Sequence, residues 1–82
     1  DFNATWCNPC RMLAPVLEQV SEELAGKALF CGIDVDQNPA LAAQFGIQSI
    51  PALVVLKNGQ PVARQVGFMP KPALRQWLDG LL

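Results

Sequence analysis

Apolar residues at Leu13, Val16, Leu17, Val20 and Leu24 recur with the period of one helix face, with Arg11, Glu18 and Glu22 opposite, so Asn8 to Ala25 reads as an amphipathic helix. Gly26 ends it. Pro15 falls inside that span, where it removes the donor to the Arg11 carbonyl and should bend the axis. The run "ALFCGIDV" is short and apolar throughout, the pattern of a strand buried on both faces, and it places Cys31 in the core between Phe30 and Ile33. "DQNPALAAQFG" predicts a short helix with Asn38 as N-cap, Pro39 at its first position and Gly46 as its stop. Asn58-Gly59 separates two strand-like runs and predicts a hairpin. A last helix opens at Pro72, with Leu74, Trp77, Leu78 and Leu81 on one face; Trp77 and Phe45 both fall at core spacing. The order strand stub, helix, strand, helix, hairpin, helix implies an α/β fold, with a parallel pair and an antiparallel hairpin in one sheet.

Composition narrows the function classes. With 82 residues, the chain holds one domain, spanning 1–82, and room for one site. It is 51% hydrophobic and 16% charged with a net charge of −1, the balance of a packed domain. The six basic residues are scattered, which argues against a nucleic-acid or anionic-membrane partner. No apolar run reaches the length of a spanning helix. Three cysteines are too few for a secreted disulfide scaffold, and the odd count leaves a thiol unpaired, which leans towards a reducing, cytoplasmic compartment.

The chemistry concentrates in "DFNATWCNPCRMLAP". Zinc normally wants four nitrogen or sulfur ligands, and the chain offers three cysteines and no histidine, so no metal site is expected. A structural disulfide between Cys7 and Cys10 would close a loop too short to constrain the unfolded chain much. The placement instead favours redox chemistry. Cys7 stands where a helix begins, and unpaired N–H groups and the positive end of the helix dipole favour a thiolate there. Cys10 lies one turn further on, within reach of it. Cys7 is then the nucleophile and Cys10 the resolving thiol. By the same geometry Cys7 should be exposed at the helix end and Cys10 covered.

These segments together resemble the thioredoxin family. The active-site block "DF-x-A-x-WC-x-PC", the helix "RMLAP", the strand and turn "IDVDQNP", the loop "GIQSIPA" and the hairpin "LKNGQPV…VG" carry the likeness across the chain. The resemblance implies a thioredoxin-like fold, a central mixed sheet flanked by helices, and a protein-disulfide reductase working through Cys7 and Cys10. It implies a cis Pro51 facing the cysteines, and a substrate groove formed by Trp6, Asn8, Pro9, Ile50, Pro51 and Gly67. It also implies that Asp1 is the acid that helps Cys10 exchange its proton. Substrates would be disulfide-containing proteins, with an NADPH-dependent flavin reductase for recycling, since the chain has no flavin or nucleotide motif and no cofactor of its own. A thioredoxin-like binding domain of a longer co-chaperone is the alternative function.

Several positions depart from the family pattern. Asn8 stands for the usual glycine between the cysteines, Asn3 for an aromatic, Gly32 for a lysine near the acid, and Ala52 for a threonine. The likeness also starts late. It lacks the family's first strand, first helix and most of the strand leading into the active site. The domain is therefore expected to be N-terminally truncated by about 20 residues or more. The strands at Leu29–Asp34 and Leu53–Leu56 should then form two sheet fragments with unpaired backbone between them.

Overall fold

A computed structural model describes all residues from Asp1 to Leu82. In chain order the elements are β1 (Phe2–Asn3), α1 (Asn8–Glu23), β2 (Ile33–Asp34), α2 (Pro39–Gln44), β3 (Ala52–Lys57), β4 (Gln60–Val66) and α3 (Lys71–Asp79). They form one four-stranded mixed sheet in the order β2-β1-β3-β4. β1 runs parallel to β2, with Phe2 opposite Ile33, and antiparallel to β3, with Phe2 opposite Ala52.

The sheet is thus not divided in two. Phe2 sits between Ile33 and Ala52, and this two-residue strand is enough to bridge them. The long strand expected from "ALFCGIDV" is largely absent: only Ile33 and Asp34 enter the ladder, because β1 is too short to pair with Leu29 to Gly32. Leu29 is 91% exposed, and Cys31 is exposed as well, not buried in the core. β3 extends past β1 in the same way, paired only with β4 beyond Ala52. The two unpaired stretches wall a cleft of about 1220 Å³, lined by apolar groups that include Leu17, Phe30, Val55 and Trp77.

Helices cover both faces of the sheet. Ala52 and Leu53 are adjacent in β3 and so point to opposite sides. Leu53 packs with Leu13, Val20 and Leu24 from α1 and its end, and with Leu74 and Leu78 from α3. Ala52 and Phe2 pack instead with Ala42 of α2, and Phe45 lies 5.5 Å from the Phe2 ring, centroid to centroid. Trp77 and Phe45 are half-buried against these two clusters. Glu23, at the end of α1, pairs with Lys71 and Arg75 of α3.

The turns follow their residue chemistry with one exception. Asn58 (φ 53°) and Gly59 (φ 78°) form the tight hairpin turn between β3 and β4, as the Asn-Gly pair predicts. The side chain of Asn38 does not cap α2. Its Nδ2 donates to the Asp34 carbonyl at 3.1 Å, while Asp34 Oδ1 accepts from the amides of Asp36 and Gln37. The Asp34 carboxylate, four residues before Asn38, orders the turn that leads into α2.

Candidate active site

The two cysteines are joined by a disulfide, with their Cα atoms 5.3 Å apart. The local sequence explains how this pair is held. Cys7 is the N-cap of α1, in extended conformation, and Cys7 Sγ accepts the backbone N–H of Cys10 at 3.3 Å. That is the place an N-cap oxygen takes when it satisfies a first-turn amide. Pro9 suits the first turn because its missing N–H would have had no helical partner. α1 then continues unbroken through Pro15 to Glu23.

Both cysteines are buried, Cys7 at 5% exposure and Cys10 at 7%, so exposure does not separate them as expected. Ala4 is buried with them, and Val35 and Ile50 pack against the group. What distinguishes the sulfurs is their place on the helix. Cys7 Sγ faces the positive end of α1 and an amide donor, a setting that stabilises a thiolate.

The remaining expected residues fall into two groups. Trp6, Asn8 and Pro9 are exposed around the disulfide. Ile50 comes from the loop before β3 and packs against the cysteines, and the Ile50–Pro51 bond is cis, as the resemblance implies. Pro51 itself is fully buried, and its carbonyl accepts the Gly67 N–H at 2.8 Å. It shapes the loop, while Ile50 and Gly67 supply the surface beside it. Asp1 stands apart. Its Oδ2 accepts from Asn3 Nδ2 at 3.3 Å, it lines the cleft, and it makes no hydrogen bond to either cysteine.

Two nearby residues escaped the sequence reading. Asp36 Oδ2 accepts the Trp6 indole N–H at 2.8 Å, and Val35 presses on the disulfide from the same turn. The only sequence signal was their place in "IDVDQNP", directly after a strand and on the end of the sheet where β1 leads into Cys7.

A disulfide between the N-cap and the first turn of a helix, walled by a cis-proline loop and an exposed tryptophan on an α/β sheet, is the site of a dithiol–disulfide oxidoreductase. The family model described as Thioredoxin matches residues 1–80. Proteins named thioredoxin from Staphylococcus aureus strains Mu50, MW2 and COL are each 53% identical over 79 residues, covering 96% of this chain and 76% of the relative. The chain belongs to the thioredoxin family.

Proposed function

We propose that the protein reduces disulfides in other proteins, with Cys7 as the nucleophile and Cys10 as the resolving thiol. In the reduced form, the Cys7 thiolate attacks one sulfur of the substrate disulfide. A mixed disulfide forms and the other substrate sulfur leaves as a thiolate. Cys10 then loses its proton and attacks Cys7 Sγ, releasing the second substrate thiol and closing the Cys7–Cys10 bond. Two electrons have passed to the substrate. The observation that carries this reading is the Cys10 amide donated to Cys7 Sγ at the start of α1.

Trp6, Asn8, Pro9, Ile50 and Gly67 form the surface that meets the substrate chain, and Pro51 orders the loop beneath it. Asp1 serves proton exchange at Cys10 only through intervening groups or water, since no direct bond links them. Recycling requires an external dithiol or an NADPH-dependent flavin reductase. The exposed, unpaired thiol of Cys31 suits a reducing, cytoplasmic setting. The test is turbidimetric reduction of insulin with dithiothreitol as the electron source. The parent should accelerate precipitation and Cys7→Ser should not; equal rates would overturn the assignment.

We infer as well that the domain is completed by an extended apolar segment filling the cleft in line with β1. The register supports this. Extending the pairs Phe2–Ile33 and Phe2–Ala52 backwards sets Asp1 between Gly32 and Leu53, and a preceding residue between Cys31 and Val54. The Asp1 nitrogen already donates to the Cys31 carbonyl at 3.0 Å, as a ladder amide does. Only 13 of 82 residues are buried, a thin core for an α/β sandwich of this composition. The curated relatives are also longer than the matched region, which spans 76% of their length.

A further inference from the structure

The loop from Gly46 to Pro51 carries Ile50 to the cysteine pair, so whatever fixes this loop fixes one wall of the site. Its two ends are tied and its middle is not. At the entry, the Gly46 amide donates to the Ala43 carbonyl at 3.0 Å and the Ile47 amide to Ala42 at 2.9 Å. At the exit, the Pro51 carbonyl accepts the Gly67 amide. Gln48, Ser49 and Ile50 make no backbone–backbone hydrogen bond. Ile50 therefore depends for its position on the two anchors and on its packing against the disulfide.

Both ends of the loop are also tied to β4 or the residue after it. Gly67 directly follows the strand, and Arg64, opposite Val54 in the ladder, reaches across to the end of α2. Arg64 Nη2 donates to the Phe45 carbonyl and Nη1 to the Gly46 carbonyl at 3.5 Å. A guanidinium is well suited to this, since its fork meets two successive carbonyls and its charge complements the negative end of the helix. α2 has no basic residue in its own last turn to do the same. Gly46 sits at φ +65°, in the turn that ends α2, and the carbonyls of Phe45 and Gly46 meet the same guanidinium.

We propose that Arg64 is a positioning residue for disulfide exchange: by joining the Phe45 and Gly46 carbonyls to β4, it sets the entry of the loop that holds Ile50 against Cys7 and Cys10. The proposal rests on Ile50 forming part of the substrate surface. Arg64 touches neither sulfur, so it should affect how a protein substrate docks and leave the intrinsic reactivity of Cys7 alone.

The test compares Arg64→Ala, Arg64→Lys and Ile50→Ala with the parent, measuring KM and kcat for insulin reduction alongside the alkylation rate of the reduced protein with iodoacetamide. Arg64→Ala should raise KM about three-fold, the scale of one exposed cation on helix carbonyls. Alkylation should be unchanged. Arg64→Lys should recover most of the loss, since an ammonium still reaches one carbonyl. If Ile50→Ala raises KM and Arg64→Ala does not, the positioning role is wrong while the substrate surface stands. If Ile50→Ala leaves KM unchanged, the surface reading has failed first. A fall in alkylation and kcat together in Arg64→Ala, not recovered by lysine, would show a general structural role and overturn the proposal.

Discussion

The indole N–H of Trp6 donates to Asp36 Oδ2 at 2.8 Å across thirty residues of sequence, although the Trp6 side chain is 65% exposed. An exposed indole is ordinarily free to rotate. Here a carboxylate fixes it beside Cys7, and that carboxylate is itself oriented by the turn in which Asp34 Oδ1 accepts the Asp36 amide. Asp36→Ala should release the ring at a stability cost of about 1 kcal/mol or less, the scale of a single solvent-exposed hydrogen bond. Fluorescence anisotropy of Trp6, read in a Trp77→Phe background, should fall in the variant; unchanged anisotropy would show that packing alone holds the indole.

Cys10→Ser should stop the exchange after its first step. The mixed disulfide between Cys7 and substrate should then accumulate and be visible as a mass shift on non-reducing gels. In the reduced parent at neutral pH, limited iodoacetamide should label Cys7 ahead of Cys10, because the two differ in amide and dipole contacts and hardly at all in burial. Peptide mapping checks the order. Cys31, free and exposed at the cleft, should be labelled as well.

The tie between α1 and α3 should be acid-sensitive. The hydrogen bond from Lys71, joined by that from Arg75, holds the Glu23 carboxyl below its ordinary value. A depressed folded-state pKa gives stability that is complete above the unfolded value, about 4.3 for glutamate, and is lost as pH falls through the folded value. Glu23→Gln should therefore melt below the parent at pH 6–7, by a small margin since the pair is solvent-exposed. The gap in Tm should close as the pH drops below about 4. A gap independent of pH would assign the effect to packing.

Filling the cleft should change the protein's surface more than its chemistry. The 82-residue chain should bind a hydrophobic dye such as ANS and melt over a broad range. Placing five consecutive valine and isoleucine residues ahead of Asp1 should abolish dye binding and slow alkylation of Cys31. A sharp, cooperative melt of the unextended chain without dye binding would contradict the completed-sheet reading.

Local signals in the sequence were reliable where neighbouring residues decide the outcome. Leu13, Val20 and Leu24 lie on the buried face of α1 as their spacing predicts, Asn58-Gly59 turns the hairpin, and the cysteines cap and enter a helix. Failures came where the outcome depended on distant partners. "ALFCG" has the composition of a buried strand but no neighbour to pair with, so Leu29 and Cys31 face the cleft. Asn38 turns its side chain back to the Asp34 carbonyl, in a turn that the Asp34 carboxylate orders, and leaves α2 uncapped. Asp36 and Arg64 act through contacts that no local pattern announces, made only after α2, β4 and the active-site turn have come together.

β4 forms the outer edge of the sheet, and its pairing with β3 shifts register between Val55 and Leu56, where Pro61 faces Leu56. A proline has no N–H to offer another chain, and an irregular register twists the strand out of line with any straight partner. Gln60, Arg64 and Gln65 along the same strand are exposed and polar or charged. The open flank of the sheet is thus defended by backbone more than by side chains: Val62 and Val66 are exposed on β4, yet the missing proline amide and the broken register hinder a further strand from zipping onto it.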